Sequence, residues 1–251
     1  MSTYQTSNEK LRVENIKKTF GSMNIINDVS FYARENEFIS LLGPSGSGKS
    51  TIFNIISGLL HQDAGEIIID GEECCGRFKK VSYMHQKDLL LPWKNIVDNT
   101  ALPLVIKGKS KKDARAKVLS YFKTFGLEGF EYKYPFQLSG GMKQRAALLR
   151  TYMYSSDIML LDEPFGALDA ITRTKMHYWL IDVIKELKAT IIFITHDIEE
   201  AIFLSDRIYV LSDKPATIKK EIIVDLPKNR TKDIVTSVKF NEIKKIILQT
   251  L

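Results

Sequence analysis

Gly43-Pro44-Ser45-Gly46-Ser47-Gly48-Lys49-Ser50 has the residue types and spacing of a phosphate loop, G-x-x-x-x-G-K-[ST]. Glycines there let backbone N–H groups turn inward around phosphate oxygens. Lys49 is expected to reach the β- and γ-phosphates, and Ser50 to ligate Mg²⁺. Ile158-Met159-Leu160-Leu161-Asp162-Glu163 is an apolar run ending in two carboxylates. Asp162 is placed to hold Mg²⁺ through water, and Glu163 to polarise an attacking water as general base. The bland alternative is a polar strand end before Pro164. His196, in Thr195-His196-Asp197, follows the apolar run Ile191 to Ile194. A histidine at the C-terminal end of such a strand stands where ligands bind in open α/β sheets. There it would hydrogen-bond the γ-phosphate; otherwise it is a surface residue. Gln86 ends the strand Val81 to Met84 and reaches the Mg²⁺ shell and the water by the same logic. His61, His85 and His177 read as surface residues.

A second anion-binding element lies in Leu138-Ser139-Gly140-Gly141-Met142-Lys143-Gln144-Arg145. Ser-Gly-Gly is a cap-and-turn signal, and Met142 to Arg150 are strong helix formers. Backbone N–H groups around Ser139 to Met142 are therefore expected to lie open at a helix N-terminus, where anions bind well. Two phosphate-binding elements far apart, one incomplete alone, suggest a site shared between two copies.

These residues need elements to carry them. Leu11 to Ile16, Val29 to Tyr32, Phe38 to Leu42, Ile67 to Asp70, Val81 to Met84, Ile158 to Leu161, Thr190 to Thr195 and Arg207 to Leu211 read as strands. Asp70-Gly71 is a turn signal. Helices are expected over Lys49 to Leu60, Ile171 to Leu187 and Ile198 to Leu204. Asp98 to Arg150 reads as mostly helical, and Asp113 to Phe125 puts Ala114, Val118, Tyr121, Phe122 and Phe125 on one stripe. A last helix, Val238 to Leu248, shows Val238, Ile243, Ile246 and Ile247 on one side. Apolar strands alternating with helical crossovers indicate an α/β fold with a buried, mostly parallel sheet, into which the helical middle looks inserted.

The chain has 251 residues, 44% hydrophobic and 26% charged, which is globular composition. It has no apolar run of the roughly 20 residues that span a bilayer. Met1 to Lys10 is polar and lacks the apolar stretch of a signal peptide, so a cytoplasmic location is expected unless a partner tethers the chain to a membrane. The formal net charge is +6. Its densest lysine clusters, Lys107 to Lys117 and Lys214 to Lys220, lack interleaved aromatics and read as solvated surface, not as a nucleic-acid site. Cys74 and Cys75 are adjacent, without metal-ligand spacing, and are expected to be reduced thiols.

Together these motifs resemble an ATP-binding-cassette ATPase, over nearly the whole chain. The resemblance implies ATP and Mg²⁺ as ligands, with nucleotide contacts from Phe20, the loop Gly43, Pro44, Ser45, Gly46, Ser47, Gly48, Lys49 and Ser50, and Thr51. It implies Ser50, Gln86 and Asp162 around the metal, and Glu163, His196 and Gln86 as catalytic residues. Phe20, in Thr19-Phe20-Gly21, aligns with an aromatic that stacks on adenine; the alternative is core packing. Leu138, Ser139, Gly140 and Gly141 match the family signature, and Asp169, in Gly166-Ala167-Leu168-Asp169, lies in a loop that crosses the dimer interface. The implied fold is a P-loop NTPase core with an antiparallel β-subdomain and an inserted helical subdomain. One domain, 1–251, would divide into a core with β-subdomain over 10–86 and 157–225, a helical subdomain over 87–156, and a C-terminal tail and helix over 226–251. Two copies would sandwich two ATP molecules, each between one chain's phosphate loop and the other's Ser139-Gly140-Gly141.

Finer likeness points to importers of the nitrate, sulfonate and taurine group. It is carried by Leu89-Leu90-Leu91-Pro92-Trp93-Lys94-Asn95-Ile96, by Leu211-Ser212-Asp213-Lys214-Pro215 and by Asp225-Leu226-Pro227. The resemblance then implies a transmembrane permease, an extracellular solute-binding protein acting indirectly, and a peripheral position on the cytoplasmic face of the membrane. The Trp93 neighbourhood would face a cytoplasmic helix of the permease; the alternative is a core tryptophan of the helical lobe. The solute stays open among small nutrients, pyrimidine-like vitamin precursors included. Met84-His85 departs from the aromatic commoner before Gln86, and the cysteine pair is unusual. The competing reading is a soluble cassette ATPase of DNA repair, translation or cofactor assembly. Repair types insert a long coiled coil and translation types carry two cassettes; neither is seen here. A P-loop kinase or GTPase is disfavoured by the signature and His196, and an exporter by the lack of a fused membrane segment.

Overall fold

A computed structural model of the chain describes residues 9–74, 81–155 and 157–251. Cys75 and residues 1–8 of the polar start lie outside that range. In chain order the first elements are β1 (Glu9–Phe20), β2 (Met23–Arg34), β3 (Phe38–Leu42), α1 (Lys49–Ile56), β4 (Ala64–Ile69) and β5 (Glu72–Glu73). Then come β6 (Val81–Met84), α2 (Ile96–Ile106), α3 (Lys111–Leu119), α4 (Gly140–Tyr154), β7 (Ile158–Asp162) and α5 (Ala170–Leu187). The chain closes with β8 (Thr190–Thr195), α6 (Ile198–Leu204), β9 (Arg207–Leu211), β10 (Ile218–Ile223) and α7 (Val238–Thr250). Two compact units result: Met1–Lys79 with Ala189–Leu251, and Lys80–Lys188.

The first unit holds an antiparallel sheet, β2-β1-β4-β5, and the strand run β10-β9-β3-β8. β3 pairs parallel with both β8 and β9, and all residues of these three strands are buried. Burial on both faces is why they read as unbroken apolar runs. The register Leu42↔Thr195 and Leu42↔Val210 brings three strand ends to one edge, so Gly43, His196 and Leu211 follow from neighbouring positions. β10 adds antiparallel to β9, with Lys219, Lys220 and Glu221 outward. No strand is expected there from sequence, because an exposed edge of mixed charge carries no apolar signal. The Lys107 to Lys117 lysines are solvent-exposed, as expected.

In the second unit β6 and β7 pair parallel, Val81↔Ile158 through Met84↔Leu161. α2, α3, α4 and α5 complete it. Its core gathers Ala114, Val118, Phe122 and Phe125, with the Phe125 ring 6.1 Å from Trp179 and 6.2 Å from Tyr152. No described helix is long and apolar enough to cross a membrane.

Three helix expectations need correction. α1 stops at Ile56, where Ser57 caps it and Gly58 turns at φ +74°, instead of running to Leu60. α3 covers Lys111–Leu119 only; the rest of the stripe to Phe125 is tight turns ending at Gly126, φ +63°. The apolar spacing survives because turns of about three residues keep Phe122 and Phe125 inward. On α7 the buried stripe is Phe240, Ile243 and Ile247, while Val238 is 76% exposed at the first helical position and Ile246 is half-exposed.

Candidate nucleotide site

The phosphate loop leaves the C-terminal end of β3 and runs into α1. Gly46 and Gly48 adopt φ +79° and +104°, which side chains disfavour. A Cβ at Gly48 would also lie 3.2 Å from Ile25 Cγ2 and 3.3 Å from the Ile25 carbonyl. Lys49 is 5% exposed, and its ammonium donates to the carbonyls of Gly43 (2.9 Å) and Pro44 (2.7 Å) and to Ser47 Oγ (3.4 Å). The cation is thus held by the loop's own oxygens. Ser50 is exposed on the first turn of α1, with Thr51 beside it. His196 lines a cavity of about 200 Å³ together with Leu42, Gly43, Pro44 and Leu211. It precedes α6, whose cap Asp197 accepts from the Glu200 amide at 3.0 Å, while Thr195 Oγ1 donates to the Glu200 carboxylate. Phe20 ends β1 and is 49% exposed, with the Lys18 ammonium 5.5 Å from its ring centre, so the core-packing alternative does not hold.

In the second unit Asp162 ends β7 and Glu163 follows it, in different environments. Asp162 is 7% exposed, and the Tyr83 hydroxyl donates to its Oδ2 at 3.0 Å. Burial, then the Asp162 charge, pushes the Tyr83 phenol far up, so it stays a donor. Glu163 is half-buried and left-handed at φ +41°, an unusual conformation for a non-glycine residue. Gln86 Nε2 donates to Glu163 Oε2 at 3.5 Å. Gly166 closes this corner, since a Cβ there would lie 3.6 Å from Glu163 Oε2 and 3.7 Å from Gln86 Nε2. Asp169 caps α5, accepting from the Thr172 amide at 3.0 Å, which holds its carboxyl below the usual range.

Ser139 caps α4, accepting the Met142 amide at 3.3 Å. The Met142 amide is therefore taken, contrary to expectation; among the described residues nothing takes the amides of Gly140 and Gly141. Leu138 is buried just before the cap. Trp93 is 71% exposed and is not a core tryptophan. Sequence reading misses Tyr83, Asn99 and Arg150. The Asn99 side chain accepts from Leu91 N at 2.7 Å and donates to the carbonyls of Leu91, Lys94 and Asn95. No motif marks such residues; for Asn99 the signal is a polar side chain placed among apolar helix positions.

Ser50 and Asp162 offer a hydroxyl and a carboxylate, hard oxygen donors that suit Mg²⁺. Among the described residues no group of three or more His, Cys, Asp or Glu could hold a metal alone. Either donor alone would leave most of an ion's shell to phosphate oxygens and water.

Residues 26–166 match the family model described as ABC transporter. The chain belongs to the ABC transporter family. The ABC transporter match contains the phosphate loop, Gln86, Ser139 to Gly141, Asp162 and Glu163, and ends before Asp169 and His196. Among curated ABC transporter relatives, the formylaminopyrimidine import ATP-binding protein ThiZ of Halalkalibacterium halodurans is 46% identical, covering 82% of this chain and 81% of its own. The aliphatic sulfonates import ATP-binding protein SsuB of Bacillus cereus is 43% identical, over 92% of this chain and 90% of its own. A dimeric structure of the ATP-binding cassette MJ0796, in a post-hydrolysis state with ADP and Pi, superposes with TM-score 0.73 at 31% identity. It covers 86% of this chain and 100% of that one.

Proposed function

We propose that this chain is the ATP-hydrolysing subunit of an importer, acting as a dimer on the cytoplasmic face of a membrane through a transmembrane permease. Relatives named as import ATP-binding proteins support the importer reading. The observation that carries the hydrolytic reading is the unequal carboxylate pair: Asp162 buried under Tyr83, and Glu163 turned out to meet Gln86. Lys49 and the loop amides of Gly43 and of Ser45 to Ser50 bind the phosphates, and Phe20 stacks on the base. Ser50 and Asp162 would hold Mg²⁺, which would supply positive charge against the phosphates. Glu163 accepts a proton from the attacking water, Gln86 orients that water, and His196 donates to the γ-phosphate. The open amides of Gly140 and Gly141, with Ser139, close over the γ-phosphate held by a second copy. Asp169 lies in the loop facing that copy. In this reading 10–86 and 157–225 form the core with its β-subdomain, 87–156 the helical subdomain, and 226–251 the tail. An extracellular solute-binding protein selects a small nutrient of the sulfonate, nitrate or pyrimidine-precursor kind, and Trp93 faces the permease.

Glu163→Gln tests the chemistry. The full chain should keep ATP affinity, lose hydrolysis by roughly 100-fold or more, and double its mass in ATP by light scattering. Unchanged turnover would remove Glu163 as the base. For the importer, co-expression with neighbouring genes should yield a complex with a multi-span membrane protein; recovery only in soluble complexes would sink that part.

A further inference from the structure

Arg150 lies on the last turns of α4, the helix that Ser139 starts. Its guanidinium turns away from that helix and donates to two successive carbonyls, Leu89 at 2.7 Å and Asp88 at 2.5 Å. Burial lowers its pKa, with the Asp88 charge opposing, so a costly desolvated cation is spent on backbone oxygens. Those oxygens belong to a segment without helix or strand, two and three residues beyond Gln86. The segment is bent there: Leu89 has φ +48°, and the Leu90 amide donates to Asp88 Oδ1 at 2.9 Å. Its far end is fixed separately by Asn99 of α2. Arg150 is therefore the tie at the Gln86 end. A planar fork reaches two adjacent carbonyls at once, which a single ammonium does not do with the same geometry.

We propose that Arg150 is a positioning residue for Gln86, fixing the Gln86 amide against Glu163 by clamping the Asp88–Leu89 bend to the signature helix. This rests on the reading of Gln86 as a group that orients the attacking water. The clamp makes the 3.5 Å contact of Gln86 with Glu163 a property of α4, so a shift of α4 is passed to the water-orienting amide. Arg150 touches neither nucleotide nor metal in this scheme; it acts through two residues of backbone.

The experiment is a double-mutant cycle on the full chain, with steady-state ATPase and nucleotide affinity measured for wild type, Arg150→Lys, Gln86→Ala and the double variant. Arg150→Lys should lower kcat about tenfold while leaving the KM for ATP within twofold. In the Gln86→Ala background the same change should have almost no further effect on kcat. Independent, multiplying losses would overturn the inference while leaving Gln86 in its role. Full activity of Gln86→Ala would instead overturn the reading of Gln86, and the inference with it. Hydrogen exchange guards against simple destabilisation. Arg150→Lys should speed exchange of amides 86–91 at an unchanged melting temperature; uniform acceleration across the second unit, or none, would reject the clamp.

Discussion

The phosphate loop Gly43–Ser50 and the signature start Ser139–Gly141 both lead into a helix N-terminus, yet they differ in charge and in what demands their glycines. The loop carries its own cation, Lys49, bound to its own carbonyls. The signature start presents two open amides and a serine hydroxyl already used as a cap. Gly48 is required by the chain's own backbone, at φ +104° against Ile25. Gly141 is not: a Cβ there would meet Thr172 Cγ2 at 3.4 Å and Met176 Sδ at 3.5 Å, ordinary contacts. Gly141 is bare where the fold does not require it, as the proposed approach of a second copy would need; Gly140 is tighter, since a Cβ there would lie 3.1 Å from Leu168 Cδ2. On the proposed reading, the loop holds an anion by itself, and the signature start completes a site held by a second copy.

The comparison breaks first at the charges. Lys49→Ala should weaken ATP binding by roughly 100-fold, the loss of charge-assisted bonds worth about 3 kcal/mol. Ser139→Arg should leave affinity unchanged and bring phosphate release to background. Equilibrium titration with a fluorescent nucleotide and a phosphate-release assay separate the two; loss of affinity in Ser139→Arg would mean that both elements serve one copy.

The glycines give a smaller, sharper contrast. Gly48→Ala should destabilise the chain by about 1–3 kcal/mol, because it forces a side chain into left-handed backbone. Gly141→Ala should leave the melting temperature within about 2 °C of wild type, since a helix tolerates alanine well, yet slow ATP hydrolysis. A matching stability loss at both positions would erase the distinction.

The smallest effect concerns the second unit's scaffold. Arg115 donates to both Asp98 oxygens at 2.8 Å and, chiefly through these bonds, holds that carboxyl below its usual range. A depressed folded pKa gives stability that is present above the unfolded value and lost as pH falls through the folded one. Arg115→Gln should therefore lower the melting temperature slightly near neutral pH, and the difference should vanish in acid. A difference that persists below the folded pKa would assign the effect to packing.

Much of the scaffold is legible without coordinates. Val81–Met84, Phe38–Leu42, Thr190–Thr195 and Arg207–Leu211 begin and end where their apolar runs do. Buried parallel strands leave that mark because both faces must be apolar. β10 is not legible, since its outward face is charged, and the end of α3 is not, since tight turns keep the same apolar spacing as a helix. Among the candidate residues, the phosphate loop, the Asp162-Glu163 pair and the Ser139 cap stand out because local backbone chemistry dictates their residue types. Tyr83, Asn99 and Arg150 do not, because each acts on a partner brought near by folding.

Sequence alone determined that a glycine-bordered loop ends β3, that two carboxylates end β7 and that a serine starts α4. These are local facts, set by backbone conformation and strand burial over a few residues. Only the tertiary structure decided that Tyr83 locks Asp162, that Gln86 meets Glu163, and that Arg150 ties the Gln86 segment to α4. Those contacts join residues 61 to 79 positions apart. No short-range propensity encodes such pairs, because their free energy appears only once strand pairing and helix packing have fixed the distances.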